Sequence, residues 1–278
     1  MPVLCVLGGA PERAKPQIET AIAIAKHLGT GVKALIAMPD PTNSAMYFVA
    51  GEAVMASASS FSAIKSAQDE ARTALSEVYT ECVAAAGSWL EADLVNETGH
   101  VQSICAAHAI LADATVFPKE AATVSHPLNS VFEYALMEER LPAILAAGDT
   151  TPKGPALIAW DGSPRAMRAV RAHLPLLQSF GHAVIAHNTD KDREIGGTAN
   201  IATSDALAEW LRAERVEAKV ELFTGKVSEG LLSIAGAHTC DLIVMGAYGH
   251  SRIGQMLFGG TSRALLQSED GPTLALAH

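Results

Sequence analysis

The chain has 278 residues, of which 49% are hydrophobic and 18% are charged, and its formal net charge is −10. This charge argues against binding to nucleic acid or to an anionic membrane, because both contacts require clustered Lys and Arg side chains. The first residues lack the basic and apolar regions of a secretory signal, and no apolar run is as long as a transmembrane helix. We therefore expect a cytoplasmic globular protein, and its length predicts two domains.

The first half of the sequence alternates short apolar segments with longer amphipathic ones, which predicts strands alternating with helices. The predicted strands are Val3–Leu7, Val32–Met38, Ala92–Glu97, Ala114–Phe117 and Ala143–Ala147. The predicted helices are Lys15–Leu28, Phe61–Ala86, Val101–Leu111 and Ser130–Glu139. Strands that alternate with helices in this way form a mainly parallel sheet.

A polar segment rich in Gly and Pro, residues 148–154, predicts a linker, and the same alternation restarts after it. The predicted strands of the second half are Pro155–Trp160, Ala183–Asn188, Glu217–Phe223, Leu242–Met245 and Thr273–Ala277. The predicted helices are Pro164–Gln178, Ile201–Arg212, Val227–Ala237 and a last apolar helix opened by Gly259 and Gly260. Pro175 should kink or shorten the first of these helices, because proline has no N–H to donate.

Short segments recur in the same order in the two halves. Thr98–Val101 resembles Thr224–Val227, for example, and three further pairs of segments match in the same way. Four matches in one order predict a tandem duplication of a five-stranded α/β unit. The predicted units are residues 1–150 and residues 151–278. The four cysteines are widely spaced and include no Cys-x-x-Cys pair, so we expect them to be reduced structural thiols.

A glycine-rich segment follows the apolar strand Leu242–Met245. Its pattern is Gly-x2-Gly-x9-Gly-Gly-Thr, formed by Gly246, Gly249, Gly259, Gly260 and Thr261. Ligands of open α/β sheets bind beyond the carboxyl ends of the strands, where the next helix presents free N–H groups. Glycines let an anion approach the backbone closely. The pattern indicates a phosphate-binding loop; the alternative is a glycine-rich connection that binds no ligand.

The segments Met245–Arg252 and Phe258–Ser262 resemble the nucleotide-binding loop of the universal stress protein family. The two-unit layout resembles the tandem members of that family. The resemblance implies two Rossmann-like or flavodoxin-like α/β units, each a five-stranded, mainly parallel sheet flanked by helices. It also implies an adenine nucleotide in the second unit, namely ATP with or without Mg²⁺, as in the ATP-binding branch of the family.

Carried over residue by residue, the resemblance implies a nucleotide site that spans the second unit. Gly246 and Gly249 would lie against ribose and phosphate, and Gly259, Gly260 and Thr261 against the β- and γ-phosphates. The family usually has Ser or Thr directly after the third glycine, and here Gly260 takes that place. This departure affects the hydroxyl contact more than the backbone contacts.

Residues outside the loop complete the implied site. Asp161 matches an acidic residue beside the nucleoside, and the backbone of Asn188 matches a contact to adenine. Trp160 is a candidate to flank the base, and Arg252 a candidate to pair with phosphate. Other roles remain open: Asp161 as a helix cap, Trp160 as a core residue and Arg252 as a solvated side chain.

The first unit lacks the residues of the proposed site. Gly8 stands at the place of Asp161, and Pro118 stands at the place of Gly246. Because proline has no N–H to donate, we expect no nucleotide in the first unit through this mode.

Three functions are compatible with these features. The favoured one is a stress-response protein that binds ATP in the second unit as a regulatory ligand. The alternatives are a slow ATPase or self-phosphorylating enzyme, with Thr261 or Ser262 as acceptor, and an interaction scaffold without nucleotide. The resemblance further implies that the closing strands Ala143–Ala147 and Thr273–Ala277 pair as an intramolecular pseudo-dimer, on which a homodimer is built. Protein partners cannot be named from the sequence.

Overall fold

The computed structural model describes residues 1–41, 58–147, 151–190, 202–247, 260–268 and 271–278. These residues form one sheet of ten strands. The strands of the first half are β1 (Val3–Leu7), β2 (Val32–Met38), β3 (Ala92–Thr98), β4 (Ala114–Pro118) and β5 (Ala143–Ala146). Those of the second half are β6 (Ala156–Trp160), β7 (His182–Asn188), β8 (Glu217–Phe223), β9 (Leu242–Gly246) and β10 (Thr273–Ala277).

The described helices cover both faces of this sheet. Those of the first half are α1 (Ala14–Leu28), α2 (Ala58–Ala86), α3 (Val101–Ala109) and α4 (Asn129–Glu133), and a π-helical turn (Tyr134–Glu138) follows α4. Those of the second half are α5 (Pro164–Ala172), α6 (Leu174–Phe180), α7 (Ser204–Ala213), α8 (Val227–Ala237) and α9 (Gly260–Gln267). The α/β class predicted from the alternating pattern is confirmed.

The strand order is the same in both halves when each is read from its outer edge. The sheet runs β3-β2-β1-β4-β5 and then β10-β9-β6-β7-β8. Among the described strands, neighbours within a half are parallel, and only the central pair β5–β10 is antiparallel, with Ile144 opposite Ala275. The predicted pairing of the closing strands is therefore confirmed, and it joins the two five-stranded halves into one continuous sheet.

Burial along the strands follows their position in the sheet. All residues of β1, β4, β5 and β10 are buried, whereas the outer strands β3 and β8 consist of half-buried and exposed residues. Strands covered by helices on both faces read as continuous apolar runs, which is the pattern that made the central strands recognisable. One core lies under α1, α2, α5, α6 and α7, and a second lies under α3, α4, α8 and α9.

The helix predicted over Pro164–Gln178 is broken in two at His173. Pro175 occupies the first turn of α6, where its missing N–H costs nothing. The break leaves the His173 ring inside the protein, where its Nε2 lies 3.2 Å from the carbonyl oxygen of Leu276 in β10. Burial lowers the pKa of His173 to about 4. The predicted effect of Pro175 is confirmed, and a buried neutral histidine results.

Helix α1 of the first half packs against α6 of the second. The rings of His27 and Phe180 meet edge to face, with centroids 4.7 Å apart. The two halves thus share a helix contact as well as the central strand pair.

The four cysteines, Cys5, Cys82, Cys105 and Cys240, are free and buried, as expected. Burial raises the pKa of Cys105 to about 12 and that of Cys240 to about 11, so both thiols stay protonated and unreactive. Among the described residues, no helix is both long enough and apolar enough to cross a bilayer.

Candidate functional site

The centre of the candidate site is the gap between β6 and β9 at the carboxyl edge of the sheet. These strands are parallel neighbours, with Ile158 opposite Val244. The chain passes from β6 to β7 on one side and from β9 to β10 on the other. The two connections therefore leave this edge in opposite directions. Such a switch point leaves a crevice in which open α/β sheets bind their ligands. Asp161 directly follows β6 and Gly246 ends β9, so both lie at this edge, as predicted for parallel strands.

Asp161 is exposed, and its carboxylate also shapes the turn into α5. One oxygen, Oδ1, accepts a hydrogen bond of 2.9 Å from the backbone N–H of Ser163. The hydroxyl of Ser163 in turn accepts from the N–H of Ala166 at 3.2 Å, which makes Ser163 the N-cap of α5. Asp161 is thus not the N-cap of α5, and its side chain is exposed at the carboxyl edge of the sheet.

Gly246 brings β9 and the start of α5 into close contact. A Cβ at this position would lie 3.0 Å from the carbonyl carbon of Arg165 and 3.1 Å from the backbone N of Ala166. Real Cβ contacts are rarely this close, and backbone atoms move less readily than a flexible side chain, so a larger residue here would push α5 away from β9. Met245, the residue before it, is buried in the strand. The structural role of Gly246 in the described residues is to let α5 approach the strand.

A small network of hydrogen bonds fixes the end of β7. The side chain of Asn188 donates from Nδ2 to the carbonyl of Gly225 and accepts at Oδ1 from the N–H of Asp190, each at 2.9 Å. The carboxylate of Asp190 accepts from the N–H of Gly225 at 2.7 Å. Asn188 and Asp190 together hold the turn between β8 and α8 against β7. The side chain of Asn188 is therefore engaged within the protein, and the contact of its backbone with adenine stays a prediction.

Trp160 lies in the core. It is 4% exposed, and its indole N–H donates to the carbonyl of Ala202 at 2.9 Å. This arrangement fixes the segment before α7 against the end of β6. Trp160 is therefore a core residue, and a contact of its ring with an adenine base stays a prediction.

Helix α9 begins at Gly260, and Thr261 in its first turn is half-buried. Leu265 anchors the helix in the core. Beyond its other end, the ammonium of Lys119 from the first half donates to the carbonyl of Ser268 at 2.6 Å. A positive charge near the C-terminus of a helix is favourable, because the free carbonyls there carry partial negative charge. The predicted site residues Gly249, Arg252 and Gly259 lie outside the described residues.

The corresponding edge of the first half has different surroundings. A Cβ on Gly8, which follows β1, would lie 2.9 Å from Cγ of Leu128. Pro118 ends β4 as the partner of Ala146. A cavity of about 1200 Å³ opens at the ends of these two strands, and no local sequence pattern predicts it. No group of three or more His, Cys, Asp or Glu side chains that could hold a metal ion occurs in the described part of the chain.

Comparison with known families bears on the second half. Residues 154–276 match the model of the universal stress protein family. This half of the chain belongs to that family. A universal stress protein from Synechocystis sp. (strain PCC 6803) is 29% identical over 126 residues, which is 42% of this chain and 40% of that relative. The match thus spans less than half the length of the curated relative.

Solved universal stress protein structures extend the similarity to the first half. A crystal structure of a universal stress protein from Archaeoglobus fulgidus DSM 4304 superposes with a TM-score of 0.67 at 16% identity, covering 99% of this chain and 97% of that one. A putative universal stress protein from Pseudomonas aeruginosa UCBPP-PA14 gives a TM-score of 0.54 at 12% identity, covering 99% and 92%. At such low identity these similarities establish the fold of the whole chain and no more.

The sequence reasoning missed Asp190 and Lys119. Asp190 had a weak local signal, since Asn and Asp just after a strand often accept hydrogen bonds from nearby backbone N–H groups. Lys119 had none, because its contact with Ser268 joins residues 149 positions apart.

Proposed function

We propose that this universal stress protein binds ATP in its second half and uses it as a regulatory ligand. The observation that carries the proposal is the parallel register of β6 and β9, which brings Asp161 and Gly246 to one crevice. The same half carries the loop pattern of the ATP-binding branch of the family. The first half carries no such pattern.

The described residues fit the chemistry of an adenine nucleotide. The carboxylate of Asp161 is exposed at the crevice and can accept hydrogen bonds from ribose hydroxyls. Helix α9 begins with Gly260 and Thr261, whose N–H groups suit a phosphate, since a helix N-terminus favours negative charge. Mg²⁺ would come with the nucleotide and be held chiefly by its phosphates, as is usual for this ion.

Thermal unfolding with and without ATP tests the proposal directly. A ligand that binds only the folded state stabilises it, by about 2.7 kcal/mol at a hundred times its dissociation constant. We expect the Tm of the full chain to rise with millimolar MgATP. An unchanged melting curve would contradict ATP binding and would favour the alternative of an interaction scaffold without nucleotide.

Asp161→Asn is the sharpest variant for this test. Asparagine keeps a carbonyl oxygen for the N–H of Ser163, so the turn into α5 is retained while the charge is removed. We expect the Tm without ligand to change little and the rise with ATP to shrink. Glu12→Gln at the edge of the first half is the matched control, and it should leave the ATP-induced rise intact. Equal responses of the two variants would argue against a nucleoside contact at Asp161.

Hydrolysis is a separate question from binding. Phosphate release by the wild type, compared with release by Gly259→Val, distinguishes an ATPase from a binding protein. A regulatory ligand predicts no release above that of the variant.

A further inference from the structure

The cavity of the first half lies at the switch point of its own strands. Its floor includes Leu7 and Gly8 at the end of β1, Met38 at the end of β2, and Pro118 at the end of β4. Since β1 lies between β2 and β4, this is the crevice that open α/β sheets use for ligands. Its volume of about 1200 Å³ is ample for a small organic molecule.

The charges around this cavity do not favour an anion. Among the described residues, Glu12 and Glu120 line it, and the one Arg that does so, Arg13, is 3.5 Å from the carboxylate of Glu120. The groups therefore sum to one negative charge. Pro118 offers no N–H to a phosphate. The N-terminus of α3 also reaches the cavity, but the ring of His100 already accepts the N–H of Ser103 there.

The walls of the cavity are largely apolar. Helix α2 contributes Ala71 and Leu75, β2 contributes Ala37, and Val101 and Leu128 approach from the opposite side. Leu75 and Leu128 are buried in the two cores, so these walls are held in place from behind. Such walls suit an apolar molecular body, because most of the surface that binding removes from water is then hydrocarbon.

One hydrogen-bond donor has a fixed position in the cavity. Nδ1 of His126 accepts the N–H of Leu128 at 3.1 Å, so in the neutral ring the proton resides on Nε2. Burial lowers the pKa of His126, with Arg13 acting in the same direction and Glu120 against it, which favours that neutral ring. Nε2 lies against Gly9, where a Cβ would come within 2.6 Å of it. Glycine at this position leaves room for the imidazole.

We propose that the cavity of the first half binds an uncharged, mainly apolar small molecule whose hydrogen-bond acceptor meets Nε2–H of His126. The two halves would then bind ligands of different chemistry at corresponding edges of one sheet. The proposal is independent of ATP binding in the second half, because it rests on residues of the first half alone.

The test uses the full chain and Nile red, an uncharged dye with a carbonyl acceptor whose emission rises in apolar surroundings. Titrations are performed with millimolar MgATP present, which occupies any nucleotide site. Ala71→Phe places a ring in the cavity from α2, and Val101→Phe does so from α3. Thr73→Phe, exposed on α2, is the matched control. Circular dichroism reports whether each variant is folded.

We expect one dye to bind in the presence of ATP, and either filling variant to weaken it by about tenfold, which corresponds to 1.4 kcal/mol. Thr73→Phe should bind like the wild type, and His126→Phe should bind several-fold more weakly. The anionic dye anilinonaphthalene sulfonate should show no binding that the filling variants remove. Displacement of all Nile red by ATP, or equal binding by Ala71→Phe, Val101→Phe and Thr73→Phe, would overturn the proposal. Tight binding of the anionic dye in the same cavity would do so too.

Discussion

The carboxyl edges of the two halves share one topology but differ in the residues that follow equivalent strands. In the second half Asp161 directly follows β6, and Gly246 allows α5 to pack directly against β9. In the first half Gly8 follows β1 and contacts Leu128, and Pro118 is the last residue of β4 and lines a large cavity. The shared strand order fixes where a ligand can bind. Under the two proposals, the residues at the strand ends account for the difference in ligand.

The two edges are also physically connected. Lys119 directly follows Pro118 in the first half and donates to Ser268 beyond the end of α9 in the second. Helix α1 contacts α6 through His27 and Phe180. A change at one edge can therefore alter the stability of elements that form the other.

The largest effect should come from Gly246→Val. Its side chain would overlap backbone atoms of Arg165 and Ala166, and overpacking of this kind costs about 3 kcal/mol. We expect the free energy of unfolding in urea to fall by that amount and ATP binding to be lost with the position of α5. The matched control is Gly236→Val in α8, since no atom lies within 4 Å of a Cβ there. The idea of a tight strand–helix contact fails if the two variants are equally stable.

Acid should destabilise the protein through His173. Its folded-state pKa of about 4 lies below the ordinary value of 6.5, so the unfolded chain binds more protons between these values. Stability due to the neutral ring is therefore complete above about pH 6.5 and is lost as pH falls towards 4. From about pH 7 to pH 5 the loss amounts to about 2 kcal/mol.

His173→Gln checks this assignment, because an amide can still donate to the carbonyl of Leu276 but does not titrate. Urea unfolding at both pH values should show a smaller pH dependence in the variant. Carboxylates titrate equally in both proteins and cancel in the difference. An identical pH dependence in the two would show that other groups, and not this histidine, control acid stability.

A smaller effect is expected for Lys119→Met. The variant loses a charge-assisted hydrogen bond beyond the end of α9, which costs about 1 kcal/mol for a partly exposed pair. If the position of α9 matters for phosphate, ATP affinity should fall by up to about fivefold, the equivalent of that energy. Lys226→Met is the control, since its ion pair with Glu229 is exposed and is expected to contribute less than about 0.5 kcal/mol. Lower stability with unchanged ATP affinity would show that Lys119 connects the two halves but does not influence the phosphate site.

Much of the fold follows from local patterns. Val3–Leu7, Val32–Met38, Glu217–Phe223 and Thr273–Ala277 were predicted with the bounds that the structure gives. Three of these strands, Val3–Leu7, Val32–Met38 and Thr273–Ala277, are apolar runs that directly follow a Gly or a Pro, so their starts are local properties of the chain. Helix ends were less accurate: Val101–Ala109 is shorter than predicted, and the segment after Asn129 turns π-helical at Tyr134. Tertiary contacts decide where a helix ends when no strong cap is present.

The candidate site divides in the same way. The sequence alone placed Asp161 and Gly246 at the ends of two strands and marked the first half as lacking their counterparts. Only the tertiary structure showed that Gly246 faces the backbone of α5 and that the indole of Trp160 is buried and donates to the carbonyl of Ala202. Close approach between distant segments leaves no local trace, because a glycine needed for packing looks the same as one needed for a ligand.

By itself, the sequence determined the α/β class, the duplicated order of elements and the half that carries the nucleotide pattern. The class and the order of elements are properties of periodicity and spacing, which act over a few residues, whereas the nucleotide pattern rests on the resemblance to the universal stress protein family. The tertiary structure confirmed that the two sheets form one through β5 and β10, and it alone showed that Lys119 reaches the last helix and that a cavity lies at the carboxyl edge of the first half. Each of these depends on which side chains fill the space between segments far apart in the chain, and local physical chemistry does not specify that.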